Sequence, residues 1–227
     1  MSLQGPEIEA NSFRKCTKLK KITIPESITS IGSSAFEGCS LLNEVTIPTT
    51  VTQIGSNCFR DCSSLPSLPI PSSVTKIDRY CFKGCNNFTK ITIPSSVTSI
   101  GESSFRECIR LKELIIPDSV TTIGDGAFSG CTSLYSVKIS SKLTKIGQSA
   151  FFNCSSLKEI EIPSSLTEIN QNLFRGCRSL AKVTIPSSIQ KIGTHSFDEC
   201  IQLDSIIIPS SVEQIDDYAF HKCNSLK

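Results

Sequence analysis

Hydrophobic and polar positions recur along this chain with a constant period of 23 residues. Phenylalanine marks the register, since it returns at that interval at Phe13, Phe36, Phe59, Phe82, Phe105, Phe128, Phe151, Phe174, Phe197 and Phe220. No insertion or deletion interrupts the interval. A period of this length predicts a solenoid, in which one short unit stacks on copies of itself and buries side chains that it could not bury alone.

Each repeat begins with a predicted strand and ends with a predicted helical turn. In residues 111–116 the apolar side chains stand at the first, fourth and sixth places, which is the alternation of a strand with one buried side. A proline follows directly and is expected to end the strand, because it cannot donate to a ladder. Val97 and Ile100 start the return path as a second inward pair. The spacing of Ala127, Phe128 and Cys131 predicts one helical turn with its apolar side inward.

Two polar columns complete the repeat. The first carries a hydroxyl in most coils and is expected to bond turn backbone groups: Ser27, Thr50, Ser73, Ser96, Ser119, Ser165, Ser188 and Ser211. The second contains only residues that tolerate positive φ, so we predict a left-handed residue there in every coil: Gly32, Gly55, Asp78, Gly101, Gly124, Gly147, Asn170, Gly193 and Asp216.

On these residues the chain resembles the leucine-rich repeats and, within them, the BspA-like class of bacterial and protozoan surface proteins. The resemblance extends from Ile8 to the end of the chain. It rests on the strand pattern of residues 111–116, the following Pro117, Gly124, and the Ala-Phe pair with its cysteine at 127–131. The hydroxyl column stands where ordinary leucine-rich repeats have an asparagine ladder. Residues 140–142 lack the usual proline, so we expect a loosened turn there.

The resemblance implies an α/β solenoid of the leucine-rich-repeat type. We expect a right-handed superhelix of about ten coils, with a parallel β-sheet on the concave side. The return side would hold short strands, turns and a single helical turn. Residues 1–5 lie outside the register and are expected to be an expression leader. Residues 6–227 are expected to form one domain, cut within a repeat at both ends and therefore a fragment of a longer array.

Charge and hydropathy exclude several functions. The 23 basic residues nearly balance the 21 acidic ones, so no strong field predicts nucleic acid or membrane binding. Apolar runs are far shorter than the roughly 20 residues that span a bilayer, so we expect no membrane insertion. Arg60, Lys83 and Arg106 form a basic column that suggests a polyanion site as an alternative. Asp61 and Glu107 stand beside it, and no aromatic residues are interleaved for stacking.

Ten of the twelve cysteines form one column, from Cys16 to Cys223. A secreted disulfide framework is one interpretation, but in-register Cβ atoms about 5 Å apart do not suit a disulfide, which wants about 3.8 Å. We therefore predict buried, unpaired thiols. The extra Cys58 and Cys81 stand in adjacent coils near Cys62 and Cys85, where four thiols can hold zinc. The other interpretation is that cysteine replaces alanine at a tight interior position. We expect no metal and no cofactor.

No constellation for catalysis is found, and the chain is predicted not to be an enzyme. The only histidines, His195 and His221, stand at positions expected to face solvent on the return side. The sequence has no nucleophile elbow, phosphate-binding loop or paired-histidine motif. Asn87 and Asn153 begin sequons that can accept glycans only in a secretory pathway.

The outward positions of the strand side vary from coil to coil and are the candidate binding surface. Opposite charges alternate between neighbouring coils, which favours correct register: Lys21/Glu44, Lys90/Glu113, Lys138/Glu161 and Glu159/Lys182. Register and solubility explain most of this pattern but not the outward apolar residues Ile115, Ile207 and Tyr135. The candidate contact patch is the set Glu113, Ile115, Tyr135, Lys138 and Glu161.

The family resemblance implies a non-enzymatic protein-binding module of an adhesin-like protein, displayed at the cell surface or secreted. It would recognise host extracellular-matrix, cell-surface or other partner proteins through the strand side. The unpaired thiols leave an intracellular scaffold open as an alternative, because they suit a reducing compartment. The regularity of the repeats also leaves a purely structural spacer open. We expect a monomer whose apolar ends can associate end to end.

Overall fold

The structure, a computed structural model, describes residues 6–227; the predicted leader at residues 1–5 lies outside the described residues. Its regular elements are sixteen short strands. In chain order they are β1 (Glu7–Ile8), β2 (Lys21–Thr23), β3 (Ser30–Ile31), β4 (Glu44–Thr46), β5 (Gln53–Ile54), β6 (Lys76–Ile77), β7 (Ser99–Ile100), β8 (Glu113–Ile115), β9 (Thr122–Ile123), β10 (Ser136–Lys138), β11 (Lys145–Ile146), β12 (Glu159–Glu161), β13 (Glu168–Ile169), β14 (Lys182–Thr184), β15 (Lys191–Ile192) and β16 (Gln214–Ile215).

All strand pairs are parallel and join equivalent residues of successive coils. The strand side holds three two-stranded sheets, β2–β4, β8–β10 and β12–β14. The return side holds the sheets β1–β3–β5, β6–β7–β9–β11 and β13–β15–β16. The chain is therefore a parallel-strand β-solenoid, as the period predicts. It has about nine coils, whereas ten were expected.

The predicted sheet of the strand side is interrupted rather than continuous. Residues 66–70 and 89–93 form no strand, although their apolar pattern predicts one. Pro66 and Pro69 explain the first gap, because neither can donate a backbone N–H to a neighbouring coil. The next coil then lacks a regular ladder partner on that side.

The predicted helical turn is wrong, since residues 6–227 contain no helix. In the coil that holds Phe36, the N–H groups of Ser34, Phe36 and Gly38 donate to carbonyl groups of the next coil at 2.8–2.9 Å. The intervening residues 35, 37 and 39 donate three residues back within their own coil. Left-handed backbone at Ser34 (φ 56°) and Gly38 (φ 72°) produces this alternation and prevents a helix. The return side is a succession of turns, so the fold is all β rather than α/β.

The glycine column is not left-handed, and that prediction is also wrong. The positive-φ positions are two and six residues later, as at Gly126 (φ 60°) and Gly130 (φ 75°). Glycine is needed at Gly124 because the preceding coil passes very close: a Cβ there would lie 2.5 Å from the backbone nitrogen of Glu102. Asp78 and Asn170 occupy equivalent positions in other coils. Because both residue types tolerate positive φ, they suggested a left-handed backbone that the column does not have.

Replacement of Gly124 by alanine is expected to lower the free energy of unfolding by about 2 kcal/mol, because the new methyl group meets rigid backbone. Gly130→Ala is the control. Its Cβ would lie no closer than 3.4 Å to any atom, and Glu107 already adopts the same left-handed backbone one coil earlier. Urea unfolding of both variants measures the difference. Equal losses in the two variants would contradict the close-approach explanation.

The core confirms the predicted interior row of aromatic rings. From Phe13 to Phe220 successive rings stack at centroid distances of 5.1–5.9 Å. The eight rings between these two ends are at most 1% exposed. The hydroxyl column also acts as predicted in several coils, where Thr50 and Ser96 donate at 2.7 Å to carbonyl oxygens of the preceding coil. Ser119 and Ser188 of the same column have no partner.

Candidate functional site

Four of the five predicted contact residues lie together on the strands β8 and β10. Parallel pairing places Lys138 beside Ile115 and Ser136 beside Glu113. Tyr135 immediately precedes β10, and its hydroxyl group donates a hydrogen bond to Oε1 of Glu113. This hydrogen bond is the main cause that raises the pKa of Tyr135, so the phenol stays neutral.

The patch is accessible and mostly polar, with one large apolar side chain. Ile115 is 67% exposed, although its chain neighbours Leu114 and Ile116 are core residues. Lys158 places its Nζ 6.0 Å from the centre of the Tyr135 ring, at the outer limit of a cation–π contact. An exposed isoleucine in the same patch as an aromatic residue and several charges is the composition of a protein-contact surface.

Glu161, the fifth residue, lies on β12 and shares a groove with Lys138. The groove has a volume of about 600 Å³ and crosses the strand side over three successive coils. Its lining residues are Val137, Lys138, Ile139, Ser141, Glu159, Ile160, Glu161, Ile162, Pro163, Ser164, Lys182, Thr184 and Pro186. The spacing of polar columns gave no sign of this groove, because the groove lies where the strand ladder between two coils is interrupted.

Only one of the four predicted charge pairs closes. Lys21 Nζ lies 2.7 Å from Oε1 of Glu44, on the paired strands β2 and β4. The other three pairs make no ion contact within 4.0 Å in the part of the chain that the structure describes. The charged groups that line the groove are therefore left for solvent or for a partner.

Two of the three residues in the basic column of the return side pair with acidic residues. Nε of Arg60 lies 3.4 Å from Asp61, and Nε of Arg106 lies 3.3 Å from Glu107. Each arginine is thus paired with the acid that follows it in sequence. The arrangement gives no reason to prefer a polyanion over a protein as ligand.

All twelve cysteines are unpaired, as predicted, and all but Cys16 are buried. Each buried thiol of the column donates to a phenylalanine carbonyl group of the preceding coil, for example Cys62 to Phe36 at 3.2 Å. Burial raises the pKa of Cys131 to about 12 and that of Cys39 to about 11. Thiols with such high pKa values are poor nucleophiles at neutral pH.

The extra cysteines Cys58 and Cys81 are buried at the interior position that alanine occupies in other coils. Burial raises the pKa of both thiols. Among residues 6–227 no group of three or more histidine, cysteine, aspartate or glutamate side chains is arranged to hold a metal ion. The geometry thus favours the packing interpretation of these two thiols over the zinc site.

Thiol labelling of the native protein at neutral pH is expected to modify Cys16 quickly and the other eleven cysteines only after denaturation. The reason is that a buried thiol must be exposed before its thiolate can form and react. Mass spectrometry after brief iodoacetamide treatment counts the modified sites, with a urea-treated sample as the control. Rapid native labelling of Cys62 or Cys85 would contradict the buried column.

The two histidines converge on one buried carboxylate; His221 is exposed, as expected, whereas His195 is half-buried. Asp198 is 2% exposed and receives His195 Nδ1 at 3.0 Å, His221 Nδ1 at 2.9 Å and Arg175 Nε at 3.1 Å. The ring of His195 stacks on Tyr218, with centroids 4.9 Å apart. The sequence carried a signal for this cluster, since Arg175, Asp198 and His221 are one period apart. Because every partner of Asp198 is a donor, the carboxylate ties three coils together.

The two sequons differ in availability. Asn87 donates from Nδ2 to the carbonyl oxygen of Ser64 at 3.2 Å and accepts a hydrogen bond from Arg110. Asn153 is exposed on the return side. In the folded protein Asn153 is thus the more accessible of the two asparagines.

These features define a class: a β-solenoid of the leucine-rich-repeat kind, with an invariant core and one variable, groove-bearing face. The chain belongs to the BspA-type leucine-rich repeats, because the family model described as "BspA type Leucine rich repeat region" matches six copies over residues 6–131 and 98–227. This confirms the resemblance drawn from the sequence. The fold suggests a protein-binding repeat module, and repeats of this family are typically non-enzymatic.

Solved structures show the same fold. A leucine rich cell surface protein of Faecalibacterium prausnitzii A2-165 is 30% identical, with a TM-score of 0.67 over 97% of this chain and 75% of that one. The pneumococcal vaccine antigen PcpA is 22% identical, with a TM-score of 0.64 over 92% of this chain and 61% of that one. A leucine-rich repeat protein of Bacteroides ovatus is 24% identical, with a TM-score of 0.50 over 97% of this chain and 81% of that one.

None of the curated proteins matches the chain. No helix within residues 6–227 has the length and apolar character needed to cross a bilayer.

Proposed function

We propose that this chain is a recognition module of a surface-displayed, adhesin-like protein that binds host or partner proteins through its strand side. The observation that carries the proposal is the patch on β8 and β10, where Ile115 is 67% exposed, beside Lys138 and on the same strand as Glu113. An isoleucine this exposed buries little apolar surface within the solenoid, whereas a partner that buried it would gain affinity.

Surface display is supported by the relatives. One similar structure is named a cell surface protein and another a vaccine antigen. Labelling intact source cells with a membrane-impermeant biotin reagent tests this part of the proposal. The full-length protein is expected among the labelled proteins at the level of a known surface marker. Labelling only after cell lysis would contradict surface display.

An intracellular scaffold is the second candidate, and the unpaired thiols are the observation that favours it. The structure weakens that argument, because eleven of the twelve thiols are buried. A buried thiol with a raised pKa resists oxidation in any compartment. The thiols are therefore compatible with an oxidising compartment as well as with a reducing one.

Replacement of Ile115 by aspartate is expected to weaken capture of the partner by at least about tenfold, because a charge replaces an apolar anchor at the contact. Wild-type and variant proteins are used as bait in host matrix and cell lysates, and the proteins that the wild type retains are quantified. Leu41→Asp is the control, since Leu41 is also exposed (47%) but lies three coils away. Equal capture by both variants would place the contact elsewhere on the solenoid.

A further inference from the structure

The ladder of the strand side is also interrupted between β10 and β12. β10 pairs with β8, and β12 pairs with β14, but no strand pairing joins β10 to β12. Val137 and Ile139 are half-buried here. The residues equivalent to Val137 in the two adjacent coils, Leu114 and Ile160, are only 2% and 3% exposed.

The missing proline accompanies the loss of ladder pairing at this point. Ser140 stands where most coils have proline, and it is buried. The next residue, Ser141, donates to Oδ1 of Asp118 from its backbone N–H at 2.8 Å and from its hydroxyl group at 3.1 Å. These bonds tie the residues that follow β10 to the preceding coil. The expected loosened turn is thus fixed toward that coil and forms no regular ladder with β12.

Charges of defined sign line the resulting groove. Glu159 and Glu161 project from β12, separated by two residues of an extended strand, which is about 6.6 Å. Lys138 stands on β10, across the groove from β12, and Lys182 stands on β14 beside Glu159. Each of these four side chains is exposed and has no ion pair within the described chain.

We propose that this groove binds an extended segment of the partner protein that carries basic side chains at every second residue; the inference rests on the proposed function. Alternate side chains of an extended segment lie about 6.6 Å apart, which matches the separation of Glu159 and Glu161 along β12. The aliphatic stems of the basic side chains pack on Val137 and Ile139, and their charged ends reach the two carboxylates.

The flanking lysines determine which basic segments fit. Lys138 and Lys182 stand on either side of the acidic row and repel a partner that presents positive charge over a broad area. A single row of basic side chains avoids both lysines. The groove therefore selects partners by the spacing of their basic side chains rather than by their net charge. A uniformly acidic surface, in contrast, would attract any basic protein.

Selection from a displayed library of short random peptides against the full chain tests the proposal. The enriched peptides are expected to share two basic residues separated by one residue. The best of them, measured by calorimetry, is expected to bind the double variant Glu159→Gln/Glu161→Gln at least about tenfold more weakly. Glu168→Gln is the matched control, because Glu168 is an exposed glutamate on the return side, and this variant is expected to bind as the wild type does.

Three outcomes would overturn the inference: no shared motif, a shared acidic motif, or equal binding by the double variant. Self-association of the wild type that the double variant abolishes would also overturn it, since the occupant would then be a second copy of the chain. Circular dichroism confirms that the exposed substitutions leave the fold intact. If the groove proposal fails but Ile115→Asp still reduces partner capture, the proposed function stands. The two claims can therefore be tested separately.

Discussion

Replacement of Phe151 by alanine lowers the free energy of unfolding by about 3–5 kcal/mol, because the substitution opens a cavity in the middle of the aromatic row. The Phe151 ring is fully buried and stacks on Phe128 at 5.4 Å and on Phe174 at 5.8 Å. No side chain of either neighbouring coil can fill the space without leaving its own position in the stack. Equilibrium urea unfolding, followed by circular dichroism, measures the loss.

The adjacent residue supplies the control. Phe152 is half-buried on the return side rather than in the aromatic row. Phe152→Ala removes the same atoms one residue away, and we expect a loss of no more than about 1 kcal/mol. Similar losses for the two variants would show that residue 151 is not an interior position. A loss below about 1 kcal/mol for Phe151→Ala would contradict the stacked core.

Replacement of Asp198 by alanine has the second largest expected effect, about 3 kcal/mol, because it removes the one carboxylate that binds Arg175, His195 and His221. The loss falls on three coils, since these partners come from the coil before, the same coil and the coil after. Glu199→Ala is the control. Glu199 forms more exposed ion pairs with Arg178 and Lys222, and such pairs contribute less than about 1 kcal/mol.

The contribution of Asp198 is expected to depend on pH. Burial alone would raise the pKa of this carboxyl group, but hydrogen bonds from His221 and His195 and the charge of Arg175 outweigh burial and hold the pKa below its usual value. A lowered folded pKa stabilises the protein above the unfolded value, about 3.9, and this stability is lost as the pH falls through the folded pKa. The difference between wild type and Asp198→Ala should therefore shrink below about pH 4. A difference that grew in acid would contradict this.

The sequence predicts the core well because identical coils repeat the same physical constraint. Ten phenylalanines at one interval can all be buried only if the coils stack in register. The cysteine column follows for the same reason, since a small apolar side chain fits the same interior position in each coil. What the periodicity could not supply is the hydrogen bond from each buried thiol to a phenylalanine carbonyl group, such as Cys85 to Phe59.

The backbone of the return side was harder to predict from residue type. Side-chain spacing at residues 127–131 suits a helical turn, yet the carbonyl groups of a neighbouring coil compete for the same N–H donors. Inter-coil bonds prevail because they satisfy the backbone along the whole stack. The glycine column shows a second ambiguity, because glycine is favoured both where φ is positive and where another backbone segment approaches closely. Only the distance from Gly124 to the preceding coil distinguishes the two reasons.

The candidate site was predictable in part. Columns of outward residues bring Glu113, Ile115, Tyr135 and Lys138 together, since strand pairing follows the period. The groove that also includes Glu161 depends on a break between two coils. The serine at 140 signalled an irregular turn, but its contact with Asp118 through the next residue could not be inferred from spacing. The cluster around Asp198 was missed because His195 and His221 were considered only as solvent-facing residues, without the aspartate that binds both.

A crystal structure of this chain tests the stacked-coil account most directly. We predict that the rings of successive phenylalanines from Phe13 to Phe220 form one row, with centroids 5.1–5.9 Å apart. Rings that point into separate pockets or toward solvent would contradict the in-register solenoid, and with it the strand-side surface on which both proposals depend.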